Sequence, residues 1–168
     1  MNNIFQTLVY QREKKMDTVL ATIIWDDGSA PRGRGSQMLV GAEGLLAGTI
    51  GGGAVELKSI QLSQELIASG GSGFIREFRL SRDGELGMAC GGDVTVLFSP
   101  ARLDDGGWDE TAAEVLRRVR QRTPGWLALP LDGGALSGDY MIRPSGRTGR
   151  LAPHETITLN SNEVIFIR

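Results

Sequence analysis

Clustered glycines constrain this chain more than any other feature of its sequence. Glycine contributes 24 of the 168 residues, and the glycines gather in short runs. The run GTIGGG at residues 48–53 is followed at once by a helical pattern over residues 54–69, which ends at the pair Gly70-Gly71. Backbone N–H groups in such a run can cradle an anion, and the positive end of the helix favours one there. Glycine runs also allow a helix to pack closely on a sheet, and the residues alone leave both interpretations open.

Two further loops carry residue types that suit ligand chemistry. The segment GSAPRGR at residues 28–34 combines small residues with Arg32 and Arg34, whose guanidinium groups match a phosphate or carboxylate. Its alternative is an exposed turn with two solvated arginines. In MACGG at residues 88–92, turn N–H groups can stabilise the thiolate of Cys90 and make it a nucleophile or a ligand for a soft metal. Its alternative is a small buried residue at the start of a strand.

Composition excludes several classes of function. The net charge of −2 and a sequence pI near 5.5 argue against a nucleic-acid partner, which usually requires a basic stripe. No apolar run is long enough to cross a bilayer, and the N-terminus lacks a secretory core. One cysteine and one histidine exclude a disulfide framework and argue against a zinc site of Cys and His. The single cysteine is typical of a reducing compartment, so we expect a cytoplasmic protein.

The hydrophobic pattern predicts one α/β domain over residues 1–168, with a mixed β-sheet flanked by about three helices. The predicted helices cover residues 2–16, 54–69 and 108–122. The predicted strands cover residues 18–25, 37–40, 45–47, 74–80, 93–99, 126–131, 139–143, 155–159 and 163–168. In the second helix, Leu57 falls in one of two apolar stripes, whereas Glu56, Ser59 and Ser63 form a narrow polar strip between them. We expect this helix to lie between two elements, with Glu56 partly enclosed near the glycine run.

The three loops, taken in order, resemble one family. The stretches GSAPRGRGSQMLV, GTIGGGAVE and MACGGDVTVLF look like the N-terminal domain of XdhC/CoxF-type proteins, the accessory factors of xanthine and carbon monoxide dehydrogenases. The resemblance runs in register through residues 17–99 and is general beyond about residue 100. Typical members continue into a Rossmann-type domain, and this chain ends at Arg168, about where the linker to that domain would begin. The resemblance therefore implies the N-terminal domain alone.

What the resemblance implies is a homodimeric maturation factor rather than an enzyme, with no catalytic residue and no metal site of its own. Such a factor binds molybdenum cofactor as cargo, favours its sulfuration through a cysteine desulfurase, and passes it to a xanthine dehydrogenase-like hydroxylase. The positions that carry over as cofactor-binding residues are Arg32, Gly51, Gly52, Gly53, Glu56, Cys90, Gly91 and Gly92.

Two other functions remain open on the residues. One is a small sulfurtransferase with Cys90 as persulfide carrier, which the lack of a second cysteine and of a plausible base disfavours. The other is a dimerisation or docking domain with no ligand of its own. A shared site requires the loops at residues 28–35, 48–56 and 87–93 to meet at one edge of the domain. We also expect the Cys90 sulfur to be partly accessible, near the N–H groups of Gly91 or Gly92.

Overall fold

The structure is a computed structural model that describes residues 4–27, 32–79 and 92–122, together with five short strands further along the chain. Three helices lie in the described part: α1 (Ile4–Glu13), α2 (Gly53–Ser69) and α3 (Gly107–Gln121). The strands are β1 (Thr18–Asp26), β2 (Gln37–Gly41), β3 (Gly44–Gly48), β4 (Phe74–Phe78), β5 (Val94–Ala101), β6 (Gly125–Pro130), β7 (Arg143–Pro144), β8 (Thr148–Ala152), β9 (Glu155–Thr158) and β10 (Val164–Ile167).

The main sheet has five strands in the order β3-β2-β1-β5-β4, and every neighbouring pair is antiparallel. Parallel pairing occurs in a smaller sheet of order β10-β6-β7, where β10 runs parallel to β6 and β7 antiparallel to it. The predicted α/β architecture with three helices is confirmed. The mixed sheet is the small one rather than the central one, because the main strands are joined by hairpins and by connections that return to neighbouring antiparallel positions.

The central strand β1 is buried on both of its faces, as its continuous apolar pattern predicts. Every residue from Thr18 to Ile23 is buried. Because side chains alternate along a strand, Leu20 joins the core beneath α1 and α3, whereas Val19 and Ala21 join the core beneath α2. Helices therefore cover both faces of the sheet, and side chains of β6 complete the first core.

The packing of α2 differs from the stripe pattern that its sequence predicts. Its buried line consists of Val55, Ser59, Ser63 and Leu66, whereas Leu57 is 60% exposed. Small serine side chains let the helix lie close to β1 and β2, and Ser63 Oγ satisfies its polarity by donating to the Ser59 carbonyl oxygen at 2.7 Å. The polar strip thus marks the contact with the sheet; Ile60 and Ile67 of the predicted second stripe pack against the core, and only its member Leu57 was placed wrongly.

Element bounds at the two ends of the chain also differ from expectation. Helix α1 ends at Glu13 rather than at residue 16, and its buried side chains include Arg12; the predicted residues 2 and 3 lie outside the described ones. Strand β7 retains only the last position of the predicted strand 139–143, whose earlier residues lie outside the described ones. Strand β8 is not predicted, because its sequence TGRLA lacks an apolar alternation. Within the described residues, no helix has the length and hydropathy to span a membrane.

Candidate functional site

The connections that follow β1 and β3 and precede β5 begin at one edge of the five-stranded sheet. Asp26 at the end of β1 pairs with Val94 at the start of β5, and Met38 near the start of β2 pairs with Gly48 at the end of β3. Through the strand registers Gly48 lies level with Met38, Ala21 and Phe98, so three strand intervals and four residues along β5 separate Gly48 from Val94, about 20 Å in all. The bases of the loops at residues 27–36, 49–52 and 79–93 lie at this same end of the strands, which we call the loop edge.

Aspartates fasten two of these loops together at their bases. Asp27 Oδ2 accepts a hydrogen bond from the Asp93 N–H at 3.0 Å, and the Asp27 N–H donates to the Asp93 carbonyl oxygen at 3.3 Å. Asp26 Oδ2 accepts the Arg34 N–H at 2.9 Å and lies 3.5 Å from Arg34 Nε. Arg34 is therefore engaged in holding its own loop.

The glycine run adopts a backbone that only glycine adopts readily. Gly51, Gly52 and Gly53 have φ values of 122°, 76° and 66°. Other residues meet a steric penalty in this region, so three such residues in succession require three glycines. A Cβ on Gly52 would meet no atom within 4 Å, which means that its backbone conformation, rather than crowding, demands glycine there.

Glu56, in the first turn of α2, reaches back into the glycine run. Its Oε2 accepts hydrogen bonds from the Thr49 hydroxyl at 2.5 Å, the Ile50 N–H at 3.0 Å and the Gly52 N–H at 3.1 Å. The Gly51 N–H donates to Thr49 Oγ1 at 3.1 Å. The three N–H groups of residues 50–52 are thus all paired within the chain. The nest inferred from the sequence exists, and the anion that fills it is the protein's own carboxylate.

The electrostatics of this arrangement favour the ionised form of Glu56. Burial raises the pKa of the Glu56 carboxyl, but the hydrogen bonds from the Thr49 hydroxyl and from the N–H groups of Gly52 and Ile50 outweigh it. The pKa of Glu56 therefore lies below its ordinary value. A charged acceptor strengthens each of these hydrogen bonds and fixes the loop more firmly than a neutral one.

The predicted site residues divide into three groups. Gly51, Gly52, Gly53 and Glu56 form one hydrogen-bonded unit, as described above. Arg32 is exposed beside the same sheet edge, and Gly92 is buried just before β5. Cys90 and Gly91 lie outside the described residues, so their roles and their distances to the other loops stay predictions.

Sequence reasoning missed Thr49, whose hydroxyl joins the carboxylate of Glu56 to the N–H of Gly51. The signal was present in the sequence, because a threonine two positions before Gly51 and an acid seven residues after that threonine can meet only if the glycines fold back. Among the described residues, no group of three or more His, Cys, Asp or Glu side chains has the arrangement of a metal site.

Fold and site together define an α/β protein whose sheet edge carries a glycine loop closed on an internal carboxylate. Residues 11–79 match the model of the XdhC and CoxI family. Through this segment, which contains β1, β2, β3 and the whole Thr49–Glu56 unit, the chain is similar to the XdhC and CoxI family.

Individual relatives agree with this assignment. The chain is 36% identical over 99 residues to YqeB, an uncharacterised protein of Escherichia coli strain K12, which covers 58% of this chain and 18% of YqeB. It is 31% identical over 106 residues to PaoD, a molybdenum cofactor insertion chaperone of the same bacterium. The matched region covers 63% of this chain and 32% of PaoD. The matched segments thus make up about a third or less of each relative.

A solved structure extends the likeness in fold. A xanthine dehydrogenase from Bacillus halodurans superposes with a TM-score of 0.55 at 21% sequence identity, covering 88% of this chain and 46% of that one. At this identity the likeness concerns the fold alone.

Proposed function

We propose that this protein is an accessory factor that binds molybdenum cofactor as cargo at the loop edge and delivers it to a molybdenum hydroxylase of the xanthine dehydrogenase type. The observation that carries the proposal is the coincidence of two facts. The family match over residues 11–79 includes the loop at residues 49–52, and the fold brings that loop to the loop edge with its glycine run held in a defined conformation.

One cation at this edge is placed to meet an anionic cargo. The cofactor carries a phosphate, which a guanidinium group can bind. Arg32 is exposed, and no carboxylate pairs with it among the residues that the structure describes. The positive partial charge at the N-terminal end of α2 is already met by the ionised Glu56 carboxylate. The N–H groups of residues 50–52 already donate to Glu56 and Thr49. We therefore assign the phosphate contact to Arg32 and assign the glycine loop to the shape of the site.

Several finer parts of the proposal follow from the family resemblance. We propose that the factor favours the sulfurated form of the cofactor through contact with a cysteine desulfurase, acts as a homodimer, and works in the cytoplasm. Cys90, Gly91 and Gly92 belong to the proposed site because their loop begins and ends at the same sheet edge. In this role Cys90 touches the bound cofactor or accepts sulfur from the desulfurase.

One observation favours a second candidate, a docking domain without a ligand. Because Glu56 already fills the nest, the loop needs no external anion to satisfy its N–H groups. In that case the loop edge serves as a contact surface for the hydroxylase, and the cofactor is held elsewhere. The two candidates differ in whether this chain by itself retains the cofactor.

The experiment that separates them is equilibrium dialysis of the purified chain against isolated molybdenum cofactor, with retained pterin measured by fluorescence after oxidation. Binding by the wild-type chain, weakened roughly tenfold in R32A, supports the proposal. The matched control is R120A, which removes an equally exposed arginine from α3 and is expected to bind as the wild type does. Absence of binding by the wild-type chain overturns the cargo role and leaves the docking role.

A further inference from the structure

The Thr49–Glu56 unit joins the end of β3 to the first turn of α2, beside the buried side chains of Ile50 and Val55. Glu56 lies in the first turn of α2, whereas its donors Thr49 and Ile50 directly follow β3. One oxygen atom, Oε2, receives all three hydrogen bonds. A single rotation of the Glu56 side chain would therefore break these three hydrogen bonds at once.

The direction of the hydrogen bonds assigns a separate task to Thr49. A hydroxyl has one proton to donate, and an ionised carboxylate can only accept. The Thr49 hydroxyl therefore donates to Glu56 Oε2, and its lone pair accepts the Gly51 N–H. This relay connects the one loop N–H that does not reach the carboxylate directly, and polarisation along the chain strengthens both hydrogen bonds.

The loop needs such a fastening because its own backbone offers little resistance to change. Gly51, Gly52 and Gly53 lose more conformational freedom on ordering than any other residue type. The space beside Gly52 is open, so no side chain packs against that position, whereas Ile50 at the start of the loop is buried in the core. What holds the three positive φ values is the set of hydrogen bonds that ends on Glu56.

We propose that Thr49 and Glu56 are positioning residues, which hold the glycine loop in its cargo-ready conformation without contacting the cargo. This inference rests on the proposed function for the identity of the cargo, and it changes the role of Glu56 from cofactor ligand to internal anchor. If the loop is ordered for only a fraction of the time, its apparent affinity is the intrinsic affinity multiplied by that fraction. Thr49 and Glu56 thus set the affinity indirectly, through the population of the ordered loop.

The test compares five chains by amide hydrogen exchange and by cofactor dialysis: wild type, T49V, T49S, E56Q and E65Q. T49V keeps the shape of the side chain without its hydroxyl, whereas T49S keeps the hydroxyl. E65Q makes the same charge change as E56Q at an exposed position of the same helix. We expect T49V and E56Q to lose protection at the amides of residues 50–52 and to bind the cofactor roughly tenfold more weakly. We expect T49S and E65Q to match the wild type in both measurements.

The two measurements distinguish failure of this inference from failure of the proposed function. If E56Q keeps full amide protection but loses cofactor binding, Glu56 contacts the cargo directly and the inference is wrong. If E56Q or T49V loses protection yet binds as tightly as the wild type, the loop does not position the cargo and the inference is again wrong. If no chain binds the cofactor, the proposed function fails and the cargo-ready role fails with it, while the exchange data still decide whether Glu56 anchors the loop. Protection at amides within α2 and the circular dichroism spectrum show that each variant is folded.

Discussion

The two faces of the main sheet each use one charged side chain to organise a loop, but with opposite chemistry. Beneath α1 and α3, the Arg12 guanidinium donates to the carbonyl oxygens of Arg102 and Asp105 and pairs with the Asp109 carboxylate. Beneath α2, the Glu56 carboxylate accepts from N–H groups of the glycine run. The Arg12 cation thus donates to carbonyl groups on one face, and the Glu56 anion accepts from N–H groups on the other.

Arg12 and Glu56 differ in burial and in the distance along the chain between the residues that they connect. Arg12 is buried and ties α1 to the segment that leads into α3, far along the chain from its own position. Glu56 is only half-buried and ties together residues that are seven positions apart or fewer, at the edge where three loops begin. We therefore expect removal of Arg12 to affect the global free energy of unfolding, and removal of Glu56 to affect the loop first.

The largest effect is expected for R12M, which keeps the length and apolar character of the stem. The change removes the guanidinium donor from the carbonyl oxygens of Arg102 and Asp105, which each keep one backbone donor, and it removes the partner of Asp109. We expect the free energy of unfolding to fall by about 3 kcal/mol, measured by urea denaturation. The exposed R120M variant should lose less than about 0.5 kcal/mol. A loss in R12M no larger than that of R120M would show that the Arg12 cluster is incidental, and the contrast between the faces would fail.

A smaller and pH-dependent effect is expected for E56Q. The pKa of Glu56 lies below its ordinary value of 4.5 in the folded state, so its ionised form contributes stability that is complete above pH 4.5 and is lost as the pH falls through the folded-state value. At pH 7 we expect E56Q to lose about 1–2 kcal/mol relative to the wild type. The difference should shrink on acidification below pH 4.5, whereas E65Q should match the wild type throughout. A difference that stays constant between pH 7 and pH 3 would mean that the charge of Glu56 does not stabilise the loop.

The smallest effect on stability is expected at the glycines that precede α2 and α3. Gly52 precedes α2 with φ of 76°, and Gly106 precedes α3 with φ of −63°, and neither has an atom within 4 Å of a built Cβ. Space being equal, only the backbone conformation differs. We expect G52A to destabilise by about 1 kcal/mol, and G106A to be neutral or to stabilise by up to about 1 kcal/mol. Thermal unfolding of the two variants measures this directly, and equal shifts in the same direction would contradict the assigned backbone strain.

The sequence predicted those features that depend on local patterns. The bounds of α2 agree to one residue, because a glycine run precedes it and Gly70 ends it with φ of 64°. The continuous apolar run of β1 likewise predicted a strand buried on both faces. Both features are written in neighbouring residues, so no knowledge of the rest of the fold was needed.

Features that depend on distant contacts were missed for an equally physical reason. The burial of Arg12 requires the segment at residues 102–109, which lies about ninety positions away. The sequence around Arg12 does not predict this contact. The burial of Ser59 and Ser63 depends on how closely α2 approaches the sheet, which the helical periodicity does not fix. Within the site, the glycines and Glu56 were predicted, whereas the hydrogen bonds that place the carboxylate inside the nest became clear only from the folded loop.

We propose that this chain carries molybdenum cofactor at a loop edge whose glycine run is held by its own carboxylate. The most direct test is the amount of cofactor retained per chain after dialysis, compared between the wild type, E56Q and the matched control E65Q. The account predicts close to one cofactor per chain for the wild type and E65Q at saturation, with an affinity roughly tenfold lower for E56Q. A wild-type chain that retains no cofactor, or an E56Q chain that binds as tightly as E65Q, would contradict it.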